Sequence, residues 1–189
     1  MNIREWIAEN IAYRLCGCYY NKFYASEFES IRELIPKEFL RRKISDLACG
    51  DGSNTLRVKD IFKAKSIVGY EHNKYLIRRA REKGVKIIEK DLNQGLPKGE
   101  MAVFTYALHH LDNKEKVLKK ITDNFDYLFL IEPTLDLNHF LFDAGKPLKR
   151  NEWIELFDKT LKNYTFHRIQ NEVMVLWKKS DLSRVRPHL

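Results

Sequence analysis

Cysteine is scarce in this chain: Cys16, Cys18 and Cys49 are the only three among 189 residues. So few, and an odd number, exclude a disulfide framework and predict a reducing, cytoplasmic setting. Cys16-Gly17-Cys18 lacks the further Cys and His ligands that a structural zinc ion needs, so no metal site is expected. Long apolar runs are also missing. No stretch approaches the ~18–20 residues of a membrane span, which predicts no membrane association. The opening residues, MNIREWIAEN, carry charges and lack an apolar h-region, which predicts no secretory signal. Internal repeats and low-complexity tracts are absent, and apolar residues recur along nearly the whole length, which excludes long disorder.

What is present suits a single globular domain. Apolar residues make up 44% and aromatic residues 12% of the chain, enough to build a real core. The 34 Lys and Arg against 26 Asp and Glu leave a net charge of +8, which favours an anionic partner without choosing among nucleic acid, anionic lipid and a phosphorylated metabolite.

From residue 43 onward, short apolar runs alternate with amphipathic segments. Strands are predicted over 44–49, 66–71, 85–89, 101–106 and 127–131. Helices are predicted over 53–62, capped by Ser53 or Asn54; from Asn73 to about Lys83; and from Asp112 to about Ile121. Strand–helix alternation predicts a doubly wound parallel sheet with helices on both faces. The end of the chain breaks the rhythm. An amphipathic helix over 151–162 precedes two strands, 164–169 and 173–177, around Gln170-Asn171-Glu172, which predicts an antiparallel hairpin on one edge. The expected fold is therefore α/β, with five parallel strands plus a C-terminal antiparallel hairpin. Residues 1–42 are expected as a helical lid, 43–179 as the main domain, and 180–189 as a frayed tail.

The strongest local signal is Asp46-Leu47-Ala48-Cys49-Gly50-Asp51-Gly52. Small residues at 48, 50 and 52 let a ligand approach the backbone at the carboxyl end of the first strand, where open sheets bind nucleotides. Glu71 follows 21 residues after Gly50, at the end of the second strand, where a carboxylate can accept both hydroxyls of a ribose. Asp91 follows the third strand and can accept an exocyclic amine, with the Leu92 backbone reading the ring edge. A dinucleotide fingerprint fits poorly, since position 48 is Ala and Thr55 stands three residues after Gly52.

The sequence resembles the class I S-adenosylmethionine-dependent methyltransferases, metabolite-type subgroup, over roughly residues 20–179. DLACGDG resembles the family's first motif. IVGYEHNKYLIRRAREKG, KIIEKDLNQGLP, MAVFTYALHHLDN and DYLFLIEP resemble the segments that follow it, in the right order. The resemblance implies that Asp46 with Ala48, Cys49 and Gly50 holds the methionine end of S-adenosylmethionine. It places the ribose on Glu71 with His72 beside the adenine, the adenine on Asp91 and Leu92, and the sulfonium region near Tyr106 and Ala107. Tyr20 or Tyr24 resembles the aromatic of the N-terminal lid.

A sulfonium methyl is already activated, so transfer needs mainly orientation and exclusion of water. A base is required only for a protonated nucleophile. His110, with His109 beside it, is the candidate, and Tyr24 the candidate lid residue. Blander roles stand beside these: helix-entry packing for the His pair, a turn role for Asp91, a packing role for Cys49, and a solvated face for Lys74, Arg78, Arg79, Arg81, Lys83 and Lys86.

The expected activity is methyl transfer to a small-molecule acceptor. The segment from Thr134 to Arg150 and the N-terminal helices are expected to form the acceptor's wall. RNA or protein methylation, and a non-catalytic cofactor-binding subunit, are the alternatives. Nucleic acid is not favoured as a partner, because no Asn-Pro-Pro-aromatic sequence follows the fourth strand.

Overall fold

The structure, a computed structural model, describes residues 27–135 and 145–180. The expected lid residues before Glu27, including Tyr20 and Tyr24, lie outside it. So do Cys16 and Cys18, most of the 134–150 segment, and the tail after Ser180.

Among the described residues, seven strands form one sheet. In chain order they are β1 (Lys43–Leu47), β2 (Ser66–Glu71), β3 (Ile87–Glu89), β4 (Met101–Thr105), β5 (Tyr127–Pro133), β6 (Tyr164–Ile169) and β7 (Glu172–Lys178). Their spatial order is β3-β2-β1-β4-β5-β7-β6. The first five pair in parallel, while β7 is antiparallel to both β5 and β6. This is the expected doubly wound sheet with its closing hairpin. The hairpin turn is Gln170-Asn171, and Thr134 ties it to β5: its amide and its hydroxyl both donate to the Asn171 carbonyl, at 2.8 and 2.6 Å.

Four helices follow the expected segments: α1 (Ser53–Ile61), α2 (Lys74–Glu82), α3 (Lys114–Asn124) and α4 (Arg150–Thr160). Asn73 caps α2 as expected, its side chain accepting from the amides of Tyr75 and Leu76. Two caps differ. The N-cap of α1 is Gly52 in the left-handed region, and Asp51, not Ser53 or Asn54, accepts the Ser53 amide. The cap of α3 is Asn113 rather than Asp112, with its side-chain oxygen accepting from the Lys116 amide. In both, a short side chain within reach of the first turn's amides displaces the expected neighbour.

Period-two alternation along the buried strands sorts the core onto two faces. Ala102, Phe104, Leu128, Leu130, Val173 and Val175 pack with Val117, Leu118 and Ile121 of α3 and Trp153 and Phe157 of α4. Met101, Val103, Phe129, Ile131, Met174 and Leu176 pack on the other face with Val58 and Ile61 of α1 and Phe62 after it. Phe28, Ile31, Ile35 and Phe39, from the helical segment expected before residue 42, are buried in that second cluster, whereas Leu34 is exposed. Full burial of such side chains stabilises by about 1.5–3 kcal/mol each before chain entropy is counted. Trp153 is fully buried and donates its indole N–H to the Pro133 carbonyl at 3.0 Å, fixing α4 to the carboxyl end of β5.

Candidate functional site

The carboxyl ends of β1, β2, β4 and β5 lie side by side, and the sequence-selected residues gather there. After β1 the backbone turns through three left-handed residues: Ala48 at φ 56°, Gly50 at 57° and Gly52 at 77°. A side chain has nowhere favourable to go in this conformation, so small residues suit it, and Ala48 is the strained member. A Cβ on Gly50 would meet nothing within 4 Å, so the space above its backbone is open. A Cβ on Gly52 would sit 3.0 Å from Ala80 and from Val85, where α2 crosses closely.

Asp46 lies at the base of this turn, fully buried. Oδ2 accepts from the Thr55 hydroxyl at 2.6 Å, and Oδ1 has no hydrogen-bond partner. Burial pushes its pKa up to about 7, with the charge of Glu71 adding and the Thr55 hydrogen bond opposing. Cys49 is buried as well; burial first, then the neighbouring carboxylates, push its thiol far up, which suits a packing role rather than a nucleophile. Its sulfur occupies the space left by Gly69 on β2.

Glu71 is 5% exposed. Its Oε1 accepts the amides of His72 and Asn73 at 2.8 and 2.9 Å, and its Oε2 accepts the Gly50 amide at 3.0 Å. The carboxylate therefore joins the end of β2 to the turn after β1. Acceptor capacity remains on Oε2, with a single amide, rather than equally on both oxygens. His72 is exposed beside it, Nδ1 lying 3.4 Å from Glu71 Oε1. After β3, Asp91 accepts the Asn93 amide and the Gln94 side-chain amide, holding the turn that buries Leu92. Of the basic run on α2, Lys83 leaves the solvated face: its ammonium pairs with Asp51 and donates to Ser53 Oγ. Burial works against ionisation of Asp51, but Lys83 and the Ser53 amide outweigh it and hold the carboxyl below its ordinary value.

The loop after β4 departs most from sequence expectation. Tyr106 is left-handed at φ 57°, costly for an aromatic residue, and its hydroxyl donates to Glu27 Oε2 at 2.8 Å. Glu132, a fully buried carboxylate on β5, accepts the amides of Ala107, Leu108 and His109 at 2.9, 2.7 and 3.3 Å, and also contacts His109 Nδ1. His109 is thus the buried member of the pair, while His110 is exposed, its ring 4.1 Å from that of His109. Sequence reasoning passed over Glu132, Glu27 and Glu172. An acid inside the otherwise apolar run Tyr-Leu-Phe-Leu-Ile-Glu-Pro was the available signal.

Among the described residues, no group of three or more His, Cys, Asp or Glu is placed to hold a metal ion. No helix among them is long and apolar enough to cross a membrane.

The residues at the β1 turn and the end of β2 fit the methionine and ribose ends of S-adenosylmethionine. Asp46 Oδ1 is a buried acceptor with nothing to accept from, Gly50 leaves the backbone open, and Glu71 Oε2 retains capacity.

Comparisons with known proteins agree with this geometry. Residues 44–125 match the family model of a methyltransferase domain. A search of curated proteins finds no match. Among solved structures, a methyltransferase from Thermotoga maritima, described as S-adenosylmethionine-dependent and a possible histamine N-methyltransferase, superposes with a TM-score of 0.73 at 14% identity. That match covers 94% of this chain and 100% of the other. Human N-acetylserotonin methyltransferase, in complex with S-adenosylmethionine, gives 0.68 at 16% identity over 88% of this chain and 57% of that one. The mitomycin 7-O-methyltransferase gives 0.65 at 14% identity, over 95% and 61%. This chain therefore spans under two thirds of the length of the latter two. At such identities the likeness is one of fold, the Rossmann-like methyltransferase fold.

Proposed function

We propose, from the match of residues 44–125 to the family model of a methyltransferase domain, that this chain binds S-adenosylmethionine and methylates a small-molecule acceptor. The observation that carries the reading is the β1 turn: left-handed residues at 48, 50 and 52 stand over a buried Asp46 oxygen that has no partner.

When bound, S-adenosylmethionine supplies a methyl group already activated on a sulfonium. The chain's own part is to bind, orient and exclude water. In this reading Asp46, with the backbone of Ala48, Cys49 and Gly50, receives the ammonium end, as a carboxylate suits a cation. Glu71 Oε2 receives the ribose, His72 stands beside the adenine, and Asp91 with Leu92 borders it. Tyr106 walls the side toward the acceptor. Where the acceptor's nucleophile carries a proton, His110, the exposed imidazole of the loop after β4, takes it.

The small-molecule part is supported by the lining near Tyr106. Glu27, Glu132 and Glu172 lie buried at the carboxyl end of the sheet, where a phosphate-bearing polymer would meet carboxyl groups rather than cations. The human and mitomycin methyltransferases, by their names, act on small molecules.

Calorimetric titration of S-adenosylmethionine, S-adenosylhomocysteine and NAD into the full chain tests the proposal. Binding of the first two without NAD is expected. Binding of NAD, or of none of the three, overturns it.

A further inference from the structure

We propose that the acceptor carries a protonated amine, and that Glu172 with Glu27 receives it beside Tyr106. The inference rests on the methyltransferase reading and deepens it by naming the chemical class of the second substrate.

Three elements that are remote in sequence supply the site. Glu172 opens β7 and is the register partner of Pro133, which puts it at the same end of the sheet as the β1 turn. Tyr106 follows β4, whose neighbours are β1 and β5. Glu27 comes from the helical segment that precedes the sheet, 79 residues before Tyr106. The Tyr106 hydroxyl donates to Glu27 at 2.8 Å, and Glu172 lies close enough to both residues for each to act on its carboxyl.

Glu172 is 4% exposed, and its Oε2 is buried with no hydrogen-bond partner. A buried acceptor left without a donor is costly unless a ligand completes it. Glu132 makes the contrast: its two oxygens take three amides and an imidazole, which is a complete structural set. The vacant acceptor position therefore belongs to Glu172.

The charge balance chooses the donor. Two carboxylates in contact inside the protein do not both ionise without a compensating cation. Burial, then the charge of Glu27, pushes the Glu172 pKa up to about 9, Glu132 contributing and the Tyr106 hydrogen bond opposing. Among the described residues, no cation figures in what acts on the Glu172 carboxyl. Arg57, near Tyr106, is drawn to Asp51, and the Arg150 guanidinium donates to the Gln170 carbonyl. A neutral hydroxyl would leave the pair protonated, and an anion would be repelled. An ammonium supplies both an N–H for Oε2 and the positive charge that lets the shared proton leave. A metal ion is the poorer match, since no three-ligand group is assembled among the described residues.

Three probes of equal size decide the matter: n-propylamine, n-propanol and propanoate, each titrated into the full chain with and without S-adenosylhomocysteine. Thermal shift and calorimetry are the readouts. The expected result is that propylamine alone raises the melting temperature, and that its binding releases about one proton below pH 9, read from calorimetry in buffers of different ionisation enthalpy. Glu172→Gln is expected to weaken propylamine binding at least about tenfold and to abolish the proton release. Equal response to the three probes, preference for propanoate, response to none, or the same stabilisation by magnesium chloride overturns the proposal. With S-adenosylhomocysteine present to fill the ammonium site at Asp46, the wild-type comparison decides it even if the variant does not fold. Failure of S-adenosylhomocysteine to bind overturns the cofactor reading instead, because amine selectivity is also measured without it.

Discussion

Glu132 Oε2 lies 2.5 Å from His109 Nδ1, and both side chains are closed to solvent. The same carboxylate collects three consecutive amides, so one residue on β5 sets the course of the loop that leaves β4. Glu132→Gln turns an NH2 group toward donors and breaks the pair with His109. A loss of about 3 kcal/mol in unfolding free energy is expected, as for a buried pair deprived of one partner. Urea denaturation checks it; a change under about 0.5 kcal/mol, the scale of an ordinary surface substitution, contradicts the role.

Ala48 stands in the left-handed region at φ 56°. Glycine there removes about 1–2 kcal/mol of strain and adds about 0.4–1 kcal/mol of unfolded-chain freedom. Ala48→Gly is therefore expected to gain roughly 0.5 kcal/mol, or about 1–2 °C in a thermal melt. A lower melting temperature would count against strain at this position.

Asp46 couples stability to pH. With its folded pKa raised to about 7, the folded state keeps a proton that the unfolded state releases from about pH 4 upward. Stability from this group is therefore lost as pH rises from about 4 to 7. Asp46→Asn removes that loss. The variant is expected to be more stable than wild type at pH 8, by on the order of 2 kcal/mol, while binding S-adenosylmethionine more weakly. Melting temperature against pH, in both proteins without ligand, tests the sign.

Gly69 is required by its neighbours. A Cβ there would fall 2.5 Å from Cys49 Sγ and 2.6 Å from Ile87 Cδ1. Gly69→Ala is expected to destabilise by about 1–3 kcal/mol through overpacking. The added change Cys49→Ala is expected to return part of it, which a double-mutant cycle measures.

Glu71 ties three amides together at the carboxyl end of the sheet. Glu71→Gln is expected to lower affinity for S-adenosylhomocysteine by about tenfold or more, since a hydrogen bond to a charged acceptor contributes about 1.5–3 kcal/mol. Unchanged affinity by calorimetry would remove the ribose from this residue.

Much of this molecule can be read locally. The apolar run at 127–131 and the Asn73 cap each carry their own signal within a few residues and were found where expected; the turn expected over 170–172 is one residue shorter, because Glu172 already pairs with Pro133 in β7. The β1 turn was legible too, because closely spaced small residues have a single local explanation. The caps at Gly52 and Asn113 were missed by one residue, since adjacent polar side chains compete for the same amides and only the turn geometry decides between them.

The acidic residues past β4 and β5 were not legible in this way. Glu132 is a lone acid in an apolar run, Glu27 and Glu172 stand among polar neighbours, and nothing near any of them in sequence shows that they meet Tyr106 or His109. Likewise the adjacent imidazoles of His109 and His110 look interchangeable in sequence, yet one is buried against Glu132 and the other exposed. Periodicity and turn chemistry act over a handful of residues, so the sequence by itself determined the strands, the helices and the glycine turn. Contacts such as Tyr106 with Glu27 are decided by the order of strands in the sheet. Burial then acts on the groups so assembled: it raises the carboxyl pKa of Asp46 and Glu172, and leaves one oxygen of each without a partner.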